Sequence, residues 1–288
     1  MDLSICILTL NARGYLEGCL RSIVAHTRGL TYEILVADNG SSDDTLELLA
    51  SDFPQVKVMP MGSNLGFTKP VNHMLRAAVG DFLLVLNPDT YLEEDCFGPQ
   101  LQFLRTHEDV GISIPKVLNA DGTLQRQSRR GEGRMIEALG YHLKLNKLFP
   151  KHKGLNGYLM PWLGEDEIGE VKAVSGSCMF ISRRCWEAVG DFDEKIFAYQ
   201  EDSDYCLRAR KLGWKVMYVP ISRITHFGGQ GGSGAQPART IREWHRSYFY
   251  YYRKHFAKDT FFLVNWLFYL MMGGRYLLAS ASNLLKRK

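Results

Sequence analysis

The chain has 288 residues, of which 45% are hydrophobic, 12% aromatic and 23% charged. This composition excludes an intrinsically disordered, collagen-like or coiled-coil protein, and the length suits one large domain or two fused lobes. The formal net charge is only +4, but residues 126–153 carry +6 and residues 239–288 carry +8, so the remaining body is acidic. Two basic segments of this kind indicate an anionic partner, such as nucleic acid, an acidic substrate or a membrane surface.

The first hundred residues alternate strand-like and helix-like patterns. Strands are predicted over residues 3–10, 33–38, 56–59 and 81–86, and helices over residues 16–24, 43–49 and 70–78. The strands are almost continuously apolar, which is typical of strands buried on both faces of a sheet. We therefore expect an α/β fold with a mostly parallel sheet that helices cover on both faces.

The sequence lacks the patterns that are typical of several other classes of protein. No glycine-rich dinucleotide or P-loop fingerprint follows the first strand, so a bound diphosphate would instead need a divalent cation held by carboxylates. The chain shows no signal-peptide pattern at its start, which predicts a cytoplasmic body. The cysteines form no CxxC pair, and their apolar surroundings predict reduced core thiols. They are Cys6, Cys19, Cys96, Cys178, Cys185 and Cys206.

Polar side chains follow three of the predicted strands. Thr9 and Asn11 come after the first strand, Asp38 after the second, and Asn87 and Asp89 after the strand over residues 81–86. Each residue alone is common in turns. Because ligands of open α/β sheets collect at the carboxyl ends of the strands, their recurrence at three strand ends favours a binding site.

The second half of the chain is less regular at first. Residues 126–153 are interpreted as a surface excursion or a partly ordered loop. Regular patterns return at residues 171–182, and Glu201, Asp202 and Asp204 then stand at the start of a predicted helix, where the helix dipole already favours carboxylates. A carboxylate at the ligand edge of the sheet could also accept a proton from an attacking hydroxyl.

His226 follows a predicted strand over residues 215–219 and precedes a glycine-rich segment over residues 228–234. Histidine is a common metal ligand and would complement a carboxylate such as Asp89. The glycine-rich segment is interpreted either as a linker to the basic tail or as a lid over bound phosphates, and the sequence leaves both open.

Five short motifs occur in a fixed order along residues 3–232. They are Asp38-Asn-Gly-Ser-Ser-Asp43, Asn64-Leu-Gly-Phe67 with Asn72, Leu86-Asn-Pro-Asp89, Glu201-Asp202 with Leu207-Arg208, and His226-Phe-Gly-Gly229. In this order they resemble the family 2 glycosyltransferases, and in particular a rhamnosyltransferase-like branch of these inverting enzymes. The resemblance implies the GT-A fold, which is Rossmann-like. It also implies a donor-binding half over residues 1–110 and an acceptor-binding, catalytic half of the same domain over residues 111–235.

The resemblance also implies a role for each matching residue. Asp202 is expected to be the catalytic base, and Asp89 with His226 to bind Mg²⁺ or Mn²⁺. The expected donor-binding residues are Thr9, Asn11, Asp38, Asn64 and Asn87, and the expected acceptor-binding or supporting residues are Gly176, Glu201 and Arg208. The implied reaction transfers a sugar, foremost rhamnose from dTDP-rhamnose, to a lipid-linked or polysaccharide acceptor in cell-envelope glycan synthesis. A UDP-sugar is the other donor considered.

The sequence departs from the family pattern at two positions. Asn87 replaces the first Asp of the fuller DxD motif and removes one negative charge. Lys69 precedes Pro70 where many relatives carry small residues. We interpret Lys69 as a solvated lysine at a helix start, and contact with a donor phosphate is the alternative.

The tail over residues 236–288 is predicted to be a helical, membrane-associating segment. Aromatic and basic residues alternate up to Phe256, and a long apolar stretch interrupted by Arg275 follows. Because Arg275 disfavours a full crossing, an interfacial helix on the cytoplasmic face of the inner membrane is expected, aided by the basic residues 286–288. A helix packed on the catalytic body is the alternative.

Two other functions are considered. A non-catalytic module that binds sugar nucleotides or glycans at the membrane would not require the Glu201-Asp202 pair. A nucleic-acid binder would use the two basic segments, but the acidic body and the apolar end of the tail disfavour it.

Overall fold

The computed structural model describes residues 1–149, 151–229 and 236–285. Most of the glycine-rich segment and the basic residues 286–288 lie outside the described residues. The strands are β1 (Leu3–Thr9), β2 (Tyr32–Asp38), β3 (Lys57–Pro60), β4 (Phe82–Leu86), β5 (Thr90–Tyr91), β6 (Val110–Leu118), β7 (Arg129–Arg130), β8 (Gly169–Glu170), β9 (Ala173–Val174), β10 (Cys178–Ser182) and β11 (Lys215–His226). The helices are α1 (Arg13–His26), α2 (Thr45–Asp52), α3 (Thr68–Ala77), α4 (Phe97–Thr106), α5 (Met135–His142), α6 (Leu145–Leu148), α7 (Lys153–Asn156), α8 (Arg183–Val189), α9 (Glu201–Lys211), α10 (Pro237–His255) and α11 (Phe262–Leu285).

Nine strands of the described chain form one mixed sheet, whose main path runs β3-β2-β1-β4-β10-β6-β11-β5. The pairs β1–β2, β1–β4, β2–β3 and β6–β11 are parallel, which confirms the predicted α/β sheet. β10 is antiparallel to both of its neighbours, β4 and β6. The sheet continues through both predicted halves of the domain, and the assignment of those halves to donor and acceptor stays a prediction.

This topology brings one end of many strands to the same edge. β1, β2, β4, β6 and β11 all end there, and β10 begins there because it runs the opposite way. Thr9, Asp38, Asn87, Ser177 and His226 therefore meet at this edge although they are far apart in the chain. The core beneath the edge is apolar and includes all six cysteines, which are buried free thiols as predicted.

The interpretation of residues 126–153 as a surface excursion is wrong for two of its four arginines, whereas Arg126 and Arg134 are exposed. Arg129 and Arg130 form β7, pair with β9 and are only 4% and 7% exposed. The Arg129 guanidinium lies 4.6 Å from the ring centroid of Tyr218 and donates a hydrogen bond to the carbonyl of Leu163. A charge count misses such residues because a guanidinium can be buried when acceptors and aromatic rings surround it. The lysines of the segment are exposed, as expected; they are Lys144, Lys147, Lys151 and Lys153.

The aromatic residues of α10 pack on the body and on α11 instead of presenting their rings to solvent. Tyr248 and Tyr251 of α10 are buried, and their hydroxyls donate to the carbonyls of Gly133 and Glu132. Tyr252 stacks on Phe268 of α11 at a centroid distance of 3.7 Å. These rings are therefore not a free stacking surface for nucleic acid.

A buried carboxylate connects α10 to α9. Asp204 is fully buried and accepts hydrogen bonds from His255 Nε2 at 2.7 Å, Lys254 Nζ at 2.6 Å and Arg208 Nε at 2.9 Å. Burial alone would raise the pKa of Asp204, but these partners outweigh it and lower the pKa to about 2. The anionic form of Asp204 therefore holds the C-terminal helix against the helix that carries Asp202.

We expect Asp204→Asn to lower the free energy of unfolding by about 2 kcal/mol at pH 7, because the variant loses a carboxylate whose pKa is depressed in the folded state. The contribution is present above pH 4, where the unfolded Asp is ionised, and is lost as the pH falls toward 2. Denaturant unfolding of both proteins at pH 7 and pH 3 should therefore give a smaller difference at pH 3.

Asp109→Asn is the matched control, because Asp109 pairs with Lys215 at the surface and both side chains are about half exposed. Its loss should cost less than about 1 kcal/mol. An Asp204→Asn variant as stable as this control would contradict the role given to Asp204.

Candidate functional site

A cavity of about 660 Å³ opens at the carboxyl edge of the sheet. Its walls come from the ends of β1 and β4, from residues 175–177 and 197–202, and from α10 and α11. The predicted site residues that line it are Thr9, Asn64, Asn87, Asp89, Gly176, Glu201 and Asp202. The structure therefore brings seven residues from five separate segments into one space.

Asp89 and His226 form a corner suited to a divalent cation. His226 Nε2 lies 3.2 Å from Asp89 Oδ1 and 3.1 Å from Asn87 Nδ2. His226 Nδ1 lies 2.8 Å from Gln125 Oε1, and since an amide oxygen only accepts, Nδ1 carries the hydrogen. Nε2 is thereby directed toward the Asp89 carboxylate, and metal-binding histidines are oriented through their second nitrogen in this way.

The described residues contain no group of three or more His, Cys, Asp or Glu that could hold a metal by itself. The corner offers one carboxylate and one imidazole, with Asn87 beside them. Mg²⁺ commonly binds one or two carboxylates and takes its remaining ligands from substrate phosphates and water. The residues present therefore fit a cation that arrives with a diphosphate.

Two buried polar atoms at the ends of β1 and β2 have no hydrogen-bond partner among the described residues. They are Thr9 Oγ1 and Asp38 Oδ1, whereas Asp38 Oδ2 accepts from the amides of Gly40 and Ser41. Asp38 lies behind the cavity wall, next to Asn39, which lines it. An unpaired buried polar atom costs about 1–3 kcal/mol, so these atoms are candidates for contacts with a ligand.

Asn39 is a cavity residue to which sequence reasoning gave no role. Its side chain donates to the carbonyl of Gly66 at 2.9 Å and accepts from the amide of Leu65 at 2.9 Å, which fixes the Asn64-Leu-Gly turn. Gly66 has φ +89°, and a Cβ there would lie 2.4 Å from the carbonyl oxygen of Phe197. The glycine in this motif is therefore required by the close approach of two loops at the cavity wall.

Asn11 and Arg208 do not line the cavity. Asn11 is exposed, and its side-chain oxygen accepts the amide hydrogen of Ser42 at 2.7 Å, so it joins two loops outside the wall. Arg208 donates to Asp204 and to the carbonyls of Val189 and Asp191, which holds α9 against the end of α8. The structure thus places Arg208 as a supporting residue.

Asp202 is held in a buried ion pair that the sequence did not suggest. Its Oδ1 accepts from Arg130 Nη2 and from the amide of Ser203, while Oδ2 accepts only a long hydrogen bond of 3.3 Å from the amide of Gly176. Arg130 is 72 residues away in sequence and reaches Asp202 because β7 pairs with β9 at the cavity wall. Oδ2 therefore retains lone-pair capacity on the cavity side.

Glu201 differs sharply from its neighbour. Burial, followed by the charge of Asp202, raises the pKa of Glu201 to about 8, and its Oε2 is buried without a hydrogen-bond partner. Adjacent carboxyl groups in one buried site cannot both ionise cheaply. Glu201 is thus the neutral member of the pair at neutral pH, and Asp202 is the partner of Arg130.

The backbone before α9 adopts an uncommon conformation. Tyr199 and Gln200 both line the cavity and have φ values of +68° and +66°. Two successive non-glycine residues in the left-handed region make a strained backbone. Strain of this kind is found mainly at functional sites, where the surrounding structure fixes it. This turn directs Glu201 and Asp202 into the cavity at the start of the helix.

The wall opposite the metal corner is aromatic and basic. Tyr141 and Tyr158 pack with ring centroids 4.6 Å apart, and Trp244, Arg239 and Arg275 come from the C-terminal helices. Sequence reasoning gave none of these residues a role at the site. No local pattern could have done so, because α10 and α11 meet the sheet edge only in the folded chain.

Comparisons with known proteins agree with this geometry. The model of the family described as "Glycosyl transferase family 2" matches residues 4–165, which is more than half of the chain. The chain is 28% identical over 256 residues to N-acetylglucosaminyl-diphospho-decaprenol L-rhamnosyltransferase from Mycobacterium tuberculosis, covering 85% of this chain and 82% of that protein.

Two solved glycosyltransferase structures share the fold. GalNAc-T7 with UDP, GalNAc and Mn²⁺ matches with a TM-score of 0.60 and 18% identity, covering 88% of this chain and 50% of the other. The mannosyltransferase PcManGT from Pyrobaculum calidifontis, in complex with GDP-Man and Mn²⁺, matches with a TM-score of 0.56 and 15% identity, covering 85% and 62%. The chain thus spans only part of the length of these solved proteins.

We expect Glu201→Gln to raise the free energy of unfolding, relative to wild type, more at high pH than at low pH. The unfolded chain releases the Glu201 proton near pH 4, whereas the folded protein keeps it until about pH 8, so the wild type loses stability across this interval. Unfolding measured at pH 5 and pH 8.5 should show the variant gaining about 2–4 kcal/mol relative to wild type over that range.

Glu187→Gln serves as control, because Glu187 is exposed and its replacement should give a difference that does not change with pH. A Glu201→Gln difference that is equally constant would show that Glu201 is not held neutral in the folded protein.

Proposed function

The chain belongs to glycosyl transferase family 2 and has the GT-A fold, and we propose that it transfers rhamnose from dTDP-rhamnose to a hydroxyl of a lipid-linked acceptor. The observation that carries the proposal is that Asp89 and Asp202 line one cavity, and that His226 lies 3.2 Å from Asp89 at its edge. A transferase needs these two groups on opposite sides of the sugar that is moved. The choice of rhamnose and of a lipid-linked acceptor is supported by the mycobacterial relative.

Asp202 is the proposed catalytic base. Its Oδ2 faces the cavity with only a weak hydrogen bond, so it can accept the proton of the acceptor hydroxyl as that oxygen attacks the anomeric carbon. The bond from the anomeric carbon to the donor phosphate breaks as the new bond forms. One displacement of this kind inverts the anomeric centre. Glu201 carries its own proton near neutral pH and is unsuited to the role.

Asp89 and His226 would hold the divalent cation, Mg²⁺ or Mn²⁺, with Asn87 at its edge. When bound, the cation would neutralise the negative charge that develops on the leaving nucleoside diphosphate. Gln125 fixes the histidine ring through Nδ1, and this orientation keeps Nε2 turned toward Asp89.

The nucleotide would lie over the ends of β1 and β2. The unpaired Asp38 Oδ1 can accept an N–H of a pyrimidine base, and the unpaired Thr9 hydroxyl can pair with the same ring or its ribose. Asn64 and Asn87 line the path from this region to the metal corner. Asn11 would act through the loop that it joins to Ser42.

We propose that α11 attaches the enzyme to the cytoplasmic face of the membrane. It is the one described helix long and apolar enough to span a bilayer, but Phe268 and Met272 pack against α10 and only one face is exposed. A helix held along the body by one face suits an interfacial position. Its exposed apolar residues are Phe262, Leu263, Trp266, Leu267, Leu270, Leu277, Leu278, Leu284 and Leu285.

Asp202→Asn should lower the kcat of sugar transfer at least about a hundredfold, because the amide cannot accept the hydroxyl proton. Donor binding should remain within about threefold of wild type, since Asp202 does not face the nucleotide. Glu201→Gln is the matched control, which should retain transfer near pH 7 because glutamine resembles the protonated carboxyl.

Radiolabelled transfer from dTDP-rhamnose to a decaprenyl-diphosphate-linked N-acetylglucosamine acceptor measures both variants. Near-normal turnover by Asp202→Asn would disprove the base assignment. A wild type that binds dTDP-rhamnose yet transfers nothing to any acceptor would support the non-catalytic binding module instead.

Asp89→Ala should remove the metal dependence of donor binding. Calorimetric titration of wild type with dTDP-rhamnose should show at least about tenfold tighter binding with Mn²⁺ than with EDTA, as expected when a cation joins carboxylate to diphosphate. The variant should bind equally weakly in both conditions. Glu93→Ala provides a control for an exposed acid on the same segment, and an Asp89→Ala variant that still responds to Mn²⁺ would exclude Asp89 as a ligand.

A further inference from the structure

Arg275 stands in the middle of the apolar helix α11, on the side that faces the body. It follows Phe268 by seven residues and Met272 by three, and both of these are buried against α10. Its side chain lines the main cavity, and its guanidinium carbon lies 5.6 Å from the ring centroid of Trp244. The residue that interrupts the apolar stretch thus belongs to the wall of the site.

The guanidinium of Arg275 is incompletely satisfied within the described chain. Its Nε is buried without a hydrogen-bond partner, and no ion pair between described residues includes it. Glu243, an acid that lines the same wall, is already paired with Arg242 at 3.1 Å and Arg246 at 3.4 Å. Arg275 as a whole is half-buried, but a buried donor nitrogen without a partner is costly, which favours an anionic ligand at this position.

A second arginine on the same wall is also available. Arg239 lies at the start of α10, with its guanidinium 4.5 Å from the ring centroid of Phe197, and among the described residues its one polar contact is a long hydrogen bond of 3.5 Å to Gln236. Phe197 precedes the strained turn that leads to Asp202. The two arginines therefore flank the cavity on the side where an acceptor would approach the base.

Arg275 lies between the lipid-facing side of α11 and the cavity that contains Asp202. Leu277 and Leu278, its near neighbours in α11, are more than 60% exposed on the face proposed to meet lipid, whereas Arg275 points into the cavity that contains Asp202. A lipid-linked sugar has an apolar chain in the bilayer, an anionic diphosphate at the surface and a sugar beyond it. Arginine is the side chain best suited to paired contacts with phosphate oxygens.

We propose that Arg275 and Arg239 bind the diphosphate of a lipid-diphosphate-linked acceptor, so that the C-terminal helices form the acceptor subsite. The inference rests on the proposed function for its substrate class. The rings of Trp244, Tyr141 and Tyr158 form the adjacent wall, where the first sugar of the acceptor packs on its way to Asp202. The acceptor thus reaches the base from the membrane side while the nucleotide occupies the opposite end of the cavity.

The test measures binding without turnover. Farnesyl diphosphate is titrated into the full-length protein in detergent and binding is followed by calorimetry, with farnesol as the uncharged comparison. Arg275→Gln should weaken farnesyl diphosphate binding at least about tenfold and leave farnesol binding unchanged, as expected for the loss of paired charged hydrogen bonds. Arg239→Gln should weaken it about threefold or more, and Arg275→Lys should fall between wild type and Arg275→Gln.

Arg253→Gln is the matched control, because Arg253 is an exposed arginine of α10 that does not line the cavity. It removes the same charge and should change farnesyl diphosphate affinity less than twofold. If Arg275→Gln and Arg253→Gln have equal effects, the site is not at Arg275 and the inference is wrong. Unchanged thermal melting of each variant verifies folding, and Arg275→Lys provides the answer if Arg275→Gln does not fold.

Two further measurements are needed. The first distinguishes a lipid headgroup from the acceptor diphosphate as the ligand of Arg275, and the second distinguishes failure of the proposed subsite from failure of the proposed function. Sedimentation with phosphatidylcholine and phosphatidylglycerol vesicles (3:1) should be the same for wild type and Arg275→Gln. Lost vesicle binding with unchanged farnesyl diphosphate binding would assign Arg275 to a lipid headgroup and overturn the proposal. In transfer assays, an unchanged acceptor KM in Arg275→Gln overturns the subsite while the proposed function stands. A wild type that binds farnesyl diphosphate through Arg275 but transfers no sugar overturns the proposed function alone.

Discussion

The buried ion pair between Arg130 and Asp202 is the interaction on which the arrangement of the site depends. Both side chains are about 10% exposed, so each would be strongly destabilised without the other. The pair connects the short β7–β9 ribbon to the first turn of α9 and leaves one Asp202 oxygen toward the cavity. Burial, and then the negative charge of Asp202, raise the pKa of the neighbouring Glu201 and keep it protonated near neutral pH.

The two ends of the cavity are built in different ways. The proposed donor end consists of loops that follow strands of the central sheet, where hydrogen bonds from Asn39 and Gln125 fix the backbone and the histidine ring. The proposed acceptor end is built from α10 and α11, and buried tyrosines of α10 hold that helix to the carbonyls of Glu132 and Gly133. A transferase of this design can keep its donor chemistry while changes in α10 and α11 alter what it accepts.

Asp204 connects α9, which carries Asp202, to the end of α10. Asp204 lies in the first turn of α9 and accepts hydrogen bonds from Lys254 and His255 at the end of α10, shortly before α11 begins. The helix that presents Asp202 is therefore held by the same carboxylate that anchors the proposed membrane-facing segment. The proposed membrane attachment and the placement of the proposed base therefore share one buried anion.

The sequence by itself determined the sheet, the residues at its strand ends and the motif order, because strand periodicity and turn chemistry are local properties. Thr9, Asp38, Asn87 and Asp89 could be assigned to one edge for that reason. Residues 126–153 were misread because net charge does not reveal whether an arginine has a buried partner. Only the tertiary structure decided that Arg130 reaches Asp202 from 72 positions away and that Arg275 turns inward from an apolar helix. Both depend on long-range packing, which no local pattern encodes.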